Sequence, residues 1–253
     1  GGNTAFGVNA FSANSSGSSN TGIGYHALEN HTTGTNNVVV GTFAGDELTT
    51  GSSNTAIGAS ALSTATTTNN NTAVGAGALL NTTGQNNTAV GSTCLDSSTT
   101  GSNLTAVGYG ALGLNTTASN NVAVGTNCLA ANTTGDLNVG VGVSNLNANT
   151  TGVRLTAVGH AALMNNTTAN DSVAVGYHAL QQNTTGANNT AVGGNSLDVN
   201  TTGNNNSAVG QHSLGANTTG TNNSALGQLS LYLNTSGSSN VAVGNQALYA
   251  NTT

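Results

Sequence analysis

The side chains that could carry out chemistry in this sequence are few, and the histidines are the first candidates for a metal site. His26, His178 and His212 each follow a recurring glycine by two residues, His160 follows one by one residue, and His31 by seven. His178 and His212 are 34 residues apart, which is twice the repeat period described below. Stacked coils would hold them about 9.6 Å apart, too far for two ligands of one zinc ion. The spacing therefore predicts a surface ladder, with metal binding between chains as the alternative.

The acids do not form a catalytic pair. The seven acids are Glu29, Asp46, Glu47, Asp96, Asp136, Asp171 and Asp198. A calcium-binding solenoid needs an acid at a fixed position in each repeat, whereas only Glu29, Asp96 and Asp198 are expected to share the position after a recurrent leucine. We expect solvated loop acids, and no enzyme activity.

Cysteine and glycosylation chemistry is equally sparse. Cys94 and Cys128 occupy the same repeat position, two coils apart, beyond the roughly 7 Å that a disulfide tolerates between Cα atoms. Buried free thiols replacing alanine are expected, with contact across a trimer axis as the alternative. Triplets such as 115–117 match the N-glycosylation pattern, but a polar turn ladder requires the same residues.

A tandem repeat fills the whole chain. The glycine that ends each "AVG"-like phrase recurs every 17 residues, apart from one step of 16, which gives fifteen copies with a deletion near Leu80. The consensus is NTAVGxxALxxNTTGxN. Helical repeats need about 33 to 47 residues, so the period predicts an all-β fold. Each copy is expected to form one coil of a parallel β-solenoid, with "NTAVG" as a strand, "AL" in a second strand and "NTTGxN" as a corner.

The repeat assigns structural roles to named residues. The register glycines, which suit a tight corner or close backbone approach, are Gly24, Gly41, Gly58, Gly75, Gly91, Gly108, Gly125, Gly142, Gly159, Gly176, Gly193, Gly210, Gly227 and Gly244. The predicted core residues are Val74, Leu79, Val107, Leu112, Val124, Leu129, Val158, Leu163, Val175, Leu180, Val192 and Leu197. The predicted outward amide ladder is Asn132, Asn149, Asn183, Asn200 and Asn217.

The scarcity of charge follows from stacking. Charged residues make up 3% of the chain and the formal net charge is -6. Like charges one coil apart would repel, whereas asparagine both donates to and accepts from its copies above and below. A single basic residue, Arg154, excludes a basic footprint for nucleic acid and a cationic face for anionic membranes. Neither a cofactor nor a membrane contact is expected for this segment.

The strand has two faces, and both are apolar or small. The residues at the second and fourth positions of "NTAVG" share one face, and the alanine between them points to the other. Since only one face lines the coil, we expect another chain to cover the outer face.

The repeat resembles a known family. "NTAVGAGAL" (71–79), "NTAVGSTCL" (87–95), "SVAVGYHAL" (172–180) and "NVAVGNQAL" (240–248) are similar to the "SVAIGxxAxA" phrase of the YadA-type head repeat in trimeric autotransporter adhesins, and to arrays in bacterial and phage tail-fibre-domain proteins. The resemblance implies a left-handed parallel β-roll, a parallel homotrimer and an adhesive or receptor-contacting role. The head repeat is typically about 14 residues long, so the enlarged corner around "NTTG" is a departure from the family.

Three functions are compatible with these patterns. The first is a structural fibre or stalk segment, part of a longer protein at a cell or virion surface, with 1–253 as one continuous array that forms a rod about 70 Å long. The second is ice binding by stacked threonine pairs such as those containing Thr184 and Thr201. The third is a filament formed by end-to-end stacking of solenoids.

Overall fold

The computed structural model describes all residues 1–253 and confirms the fold class. The chain is all-β, without a helix, and contains fifteen strands of three residues each, one in every repeat. Successive strands pair in parallel with an offset of 17 residues, as between Thr156 and Val173. The fold is therefore a parallel β-solenoid with about one repeat per turn.

The chain divides into two compact units. Unit 1 comprises residues 1–126 and unit 2 residues 127–253. In each unit, strands adjacent in sequence are adjacent in the sheet. The strands of unit 1 are β1 Thr4–Phe6, β2 Thr21–Ile23, β3 Val38–Val40, β4 Thr55–Ile57, β5 Thr72–Val74, β6 Thr88–Val90, β7 Thr105–Val107 and β8 Val122–Val124. Those of unit 2 are β9 Val139–Val141, β10 Thr156–Val158, β11 Val173–Val175, β12 Thr190–Val192, β13 Ser207–Val209, β14 Ser224–Leu226 and β15 Val241–Val243.

The register glycines make the first corner of each coil. We number each repeat from this glycine as position 0, so that the strand covers positions -3 to -1. All fourteen glycines named above have a φ between 124° and 144°. A Cβ on Gly193 would lie 2.7 Å from the backbone carbonyl carbon of Gly210 in the next coil. Both observations require glycine, because no other residue fits that conformation and that contact.

The "AL" segment is a pair of turns, not the second strand that the sequence predicted. In the second coil the amide of Ala27 donates to the carbonyl of Gly24 (3.4 Å), and the amide of His31 donates to the carbonyl of Leu28 (3.2 Å). Leu28 itself has a φ of 53°. The left-handed conformation costs a residue with a Cβ about 1 to 2 kcal/mol, which burial of the leucine side chain offsets.

The leucines of position +4 form the core, but the valines do not. Six predicted core leucines are fully buried: Leu79, Leu112, Leu129, Leu163, Leu180 and Leu197. The six predicted core valines point outward and are half-buried or exposed: Val74, Val107, Val124, Val158, Val175 and Val192. Their assignment to the core was wrong. The alanine of position -2 points inward instead, and Ala106 is 0% exposed whereas Val107 is 36% exposed.

The third coil shows why the inward strand residue is small. Here Gly45 replaces the core leucine and Val39 replaces the inward alanine. A Cβ on Gly45 would lie 3.4 Å from a methyl carbon of Val39. The valine therefore fills the volume that the missing leucine vacates, and a coil with both large residues would be overpacked.

The 16-residue step falls in the corner after the second turn. Thr83 donates its hydroxyl to the carbonyl of Thr99 (2.8 Å), which places Thr83 at position +8. Gly84 accepts from Asn71 (3.1 Å) as the position +10 glycines do. Thr82 accordingly occupies the buried position +7, and the coil lacks the exposed residue at position +9.

Candidate functional site: two buried asparagine ladders and the surfaces they support

The predicted outward amide ladder lies inside the solenoid. Asn132, Asn149, Asn183, Asn200 and Asn217, all at position +7, are fully buried, so their outward placement was wrong. The side-chain amide of Asn149 donates to Oδ1 of Asn132 (2.8 Å). The polar interior is satisfied because each amide hydrogen-bonds to its copies in the neighbouring coils.

A second buried ladder runs along position -4, the first residue of the repeat. The backbone amide of Asn206 donates to Oδ1 of Asn189 (2.9 Å), and its side-chain amide donates to the carbonyl of Gly220 (2.8 Å). Gly220 also accepts from Asn217 of the first ladder (3.1 Å). The two ladders thus converge on the carbonyl of the position +10 glycine, and together they fix three parts of each coil.

The position +7 ladder differs between the two units. In unit 2, asparagine occupies this position without interruption from Asn132 to Asn234. In unit 1, His31 replaces it in the second coil, and its ring nitrogens contact the carbonyls of Leu48 (2.9 Å) and Gly34 (3.0 Å). The next four coils have leucine, alanine, threonine and serine at this position. Sequence analysis missed the inward direction of both ladders, although the uninterrupted asparagine in unit 2 was a usable signal.

The strands present a continuous apolar surface to the outside. We define the strand face as the side chains at positions -3 and -1. Position -1 holds valine, isoleucine, leucine or phenylalanine in every coil, and position -3 holds threonine, valine or serine. None of these side chains is buried, and Ile57 and Val209 are examples with 40% and 38% exposure. The strand face contains no charge and is regular in both units.

The paired threonines of the "NTTG" corner behave differently from each other. The hydroxyl at position +8 donates to the next coil's backbone, as from Thr184 to the carbonyl of Thr201 (3.0 Å) and from Thr201 to that of Thr218 (3.2 Å). The following threonine at position +9 is exposed, as at Thr185 and Thr202. The hydroxyls of Thr184 and Thr201, which the sequence offered for ice binding, are therefore engaged within the protein.

The histidines and several acids lie together on the turns. His26 forms an ion pair with Glu29 three residues later. Asp46 occupies the same position +5 as Glu29, because Gly45 stands where the leucine would be, so the expected membership of this column was incomplete. Ser63 of the next coil donates to Asp46 (2.5 Å). These contacts join polar side chains of consecutive coils.

Unit 2 has its own cluster on the turns. Burial raises the pKa of Asp198, while the nearby His212 and His178 act in the opposite direction. The ring of His178 stacks on Tyr177 with a centroid distance of 3.7 Å, and His160 lies 5.6 Å from His178. No group of three or more histidine, cysteine, aspartate or glutamate side chains is arranged to hold a metal ion.

Two further candidate groups have clear structural partners. Arg154 makes a bidentate contact with Asp171 at 2.5 and 2.8 Å, and this hydrogen-bonded pairing lowers the pKa of Asp171. Cys94 and Cys128 are free and buried, as predicted for thiols that replace alanine. Burial raises the pKa of Cys94 to about 12, so this thiol is protonated and unreactive at neutral pH.

The glycosylation triplet at 115–117 starts inside the protein. Asn115 is fully buried and donates to the carbonyl of Ala118 (3.1 Å). The folded chain therefore withholds this side chain from a modifying enzyme.

Comparisons with known proteins do not add a family. No protein-family model matches the chain, and no curated protein matches it. The chain has no helix of the length and apolarity that a membrane span requires.

Proposed function

We propose that the chain is a structural segment of an extracellular fibre, and that copies of it associate through the strand face into a parallel homotrimer. The observation that carries the proposal is the uncharged column of outward β-branched residues in all fifteen repeats. A monomer does not need a valine or isoleucine at position -1, because the core is filled by leucine, alanine and asparagine. Large exposed apolar surfaces of this kind mark interaction sites.

A second copy is the partner that fits this surface. Association of identical strand faces would repeat the same contact at each coil, since every coil presents the same residue types. The absence of charge from the face removes the repulsion that identical charged surfaces would have. The role of the assembly is mechanical: backbone bonds and amide ladders inside each coil, with apolar burial between chains, resist bending and proteolysis. Adhesive or receptor contact would then use the turns and corners that the association leaves exposed.

The oligomeric state tests the proposal. We expect light scattering with size-exclusion chromatography to give three times the 24.5 kDa mass of one chain. The double variant Val107→Lys/Val175→Lys places an ammonium group on the strand face of each unit, where burial without a partner is costly, and should give the monomer mass. A matched control, Thr117→Lys/Thr185→Lys, adds the same charge to exposed positions of the same coils and should keep the trimer mass.

A wild-type chain that is monodisperse at 24.5 kDa would refute the association. The extracellular setting has a separate test, because antibodies against the segment should label intact cells or virions without permeabilisation. Labelling only after permeabilisation would contradict it.

A further inference from the structure

Position +9 of unit 2 carries a column of free hydroxyl groups. We define the threonine column as Thr134, Thr151, Thr168, Thr185, Thr202 and Thr219, one in each of six consecutive coils. All six side chains are exposed. A threonine hydroxyl offers one donor and two acceptor sites, and no hydrogen bond of the protein engages these six. The column therefore presents its hydrogen-bonding capacity to water.

The neighbouring residues hold the column at a constant spacing. At position +8 the amide of Thr184 donates to the carbonyl of Thr201 (3.0 Å), and the hydroxyl of Thr184 donates to the same carbonyl. At position +10 the carbonyl of Gly203 accepts from Asn200 (3.0 Å) and from Asn189 (2.7 Å). Each column residue thus lies between two anchored residues. The hydroxyls repeat at the spacing of parallel strands, about 4.8 Å.

The wall that carries the column has little charge. On positions +8 to +12 of unit 2 the charged residues are Asp136 and the mutually neutralising pair Arg154 and Asp171. The coils that contain Thr185, Thr202 and Thr219 have no charged residue at these positions. Charged groups orient water around themselves, so their absence leaves water order to the periodic hydroxyls.

We infer that the threonine column binds the surface of ice. Waters hydrogen-bonded to six equivalent hydroxyls are held in one periodic row, and fixing such waters costs at most about 2 kcal/mol each. A row of pre-positioned waters can join a growing crystal, and the bound protein then blocks further growth there. The occupant is ordered water, because a neutral, periodic and rigid row of hydroxyls lacks the apolar anchor or charge that a protein or ionic partner would need. The column is separate from the strand face, so the inference stands for a monomer or a trimer.

Thermal hysteresis of the full chain, measured by nanolitre osmometry, tests the inference. We expect the wild type to depress the freezing point below the melting point, with a gap that grows with protein concentration. Thr185→Lys places a long charged side chain in the middle of the column and should remove most of the gap. The matched control Gln182→Lys adds the same charge to an exposed turn residue of the same coil and should retain it.

The outcomes are separable from failure to fold. Circular dichroism must show the same β signal for all three proteins, and Thr185→Val, which keeps the side-chain shape, provides a second variant with an expected loss. A folded wild type without hysteresis overturns the inference. Full hysteresis in both Thr185 variants overturns the assignment to the threonine column. Neither result bears on the oligomeric state.

Discussion

The buried ladder can be broken at a single amide by Asn200→Ala in unit 2. The side-chain amide of Asn200 donates to Oδ1 of Asn183 (2.8 Å) and to the carbonyl of Gly203 (3.0 Å). Its own Oδ1 accepts from the amide of Asn217 (2.9 Å). The substitution therefore removes three buried hydrogen bonds and leaves the coil backbone unchanged.

The partners differ in what they lose. Gly203 still accepts from Asn189 (2.7 Å), and Asn217 still donates to Gly220 (3.1 Å). Oδ1 of Asn183 loses its ladder partner and remains buried. Three bonds at about 1 kcal/mol each, plus about 1 kcal/mol or more for the unsatisfied oxygen, give an expected loss of about 4 kcal/mol in the free energy of unfolding.

Urea unfolding followed by far-UV circular dichroism measures this loss, and hydrogen exchange locates it in the coils around residue 200. The control is Thr202→Ala, two residues away on the surface, for which we expect a change within about 0.5 kcal/mol. If Asn200→Ala is no more destabilising than Thr202→Ala, the ladder does not stabilise the fold and the reasoning fails.

Three further predictions concern glycine and cysteine. Gly193→Ala should destabilise the chain by about 3 kcal/mol or more, because its Cβ would meet the next coil's backbone at 2.7 Å, whereas Gly194→Ala has open space and should change the urea midpoint little. Gly140→Ala would place a Cβ 2.5 Å from Sγ of Cys128; we expect a loss of about 1 to 3 kcal/mol that Cys128→Ala reverses, and additive effects in this double-mutant cycle would contradict the contact. The raised pKa of about 12 for Cys94 against its ordinary 9.0 means that the unfolded chain loses the thiol proton first as pH rises. Stability should therefore fall from pH 9 towards 12, and a wild type that falls no more steeply than Cys94→Ala would disprove this cause.

The interior of the coil was only partly predictable. The leucines of position +4, such as Leu163 and Leu180, are fully buried as expected. The valines on the strand were misplaced because alternation along a strand defines two faces without saying which one is inward. The answer depends on volume: leucine and two asparagines fill the coil, so only alanine fits beside them, as the exchange of Val39 and Gly45 demonstrates.

The sequence by itself determined the period, the parallel β-solenoid and the positions of the register glycines. A 17-residue repeat with a fixed glycine permits one short strand per coil, and only glycine adopts the φ near 130° seen at Gly193 and Gly210. The tertiary structure decided where the polar groups go. An asparagine is inward or outward according to whether a carbonyl such as that of Gly220 and an amide one coil away are within reach, and that proximity exists only once the coils are stacked.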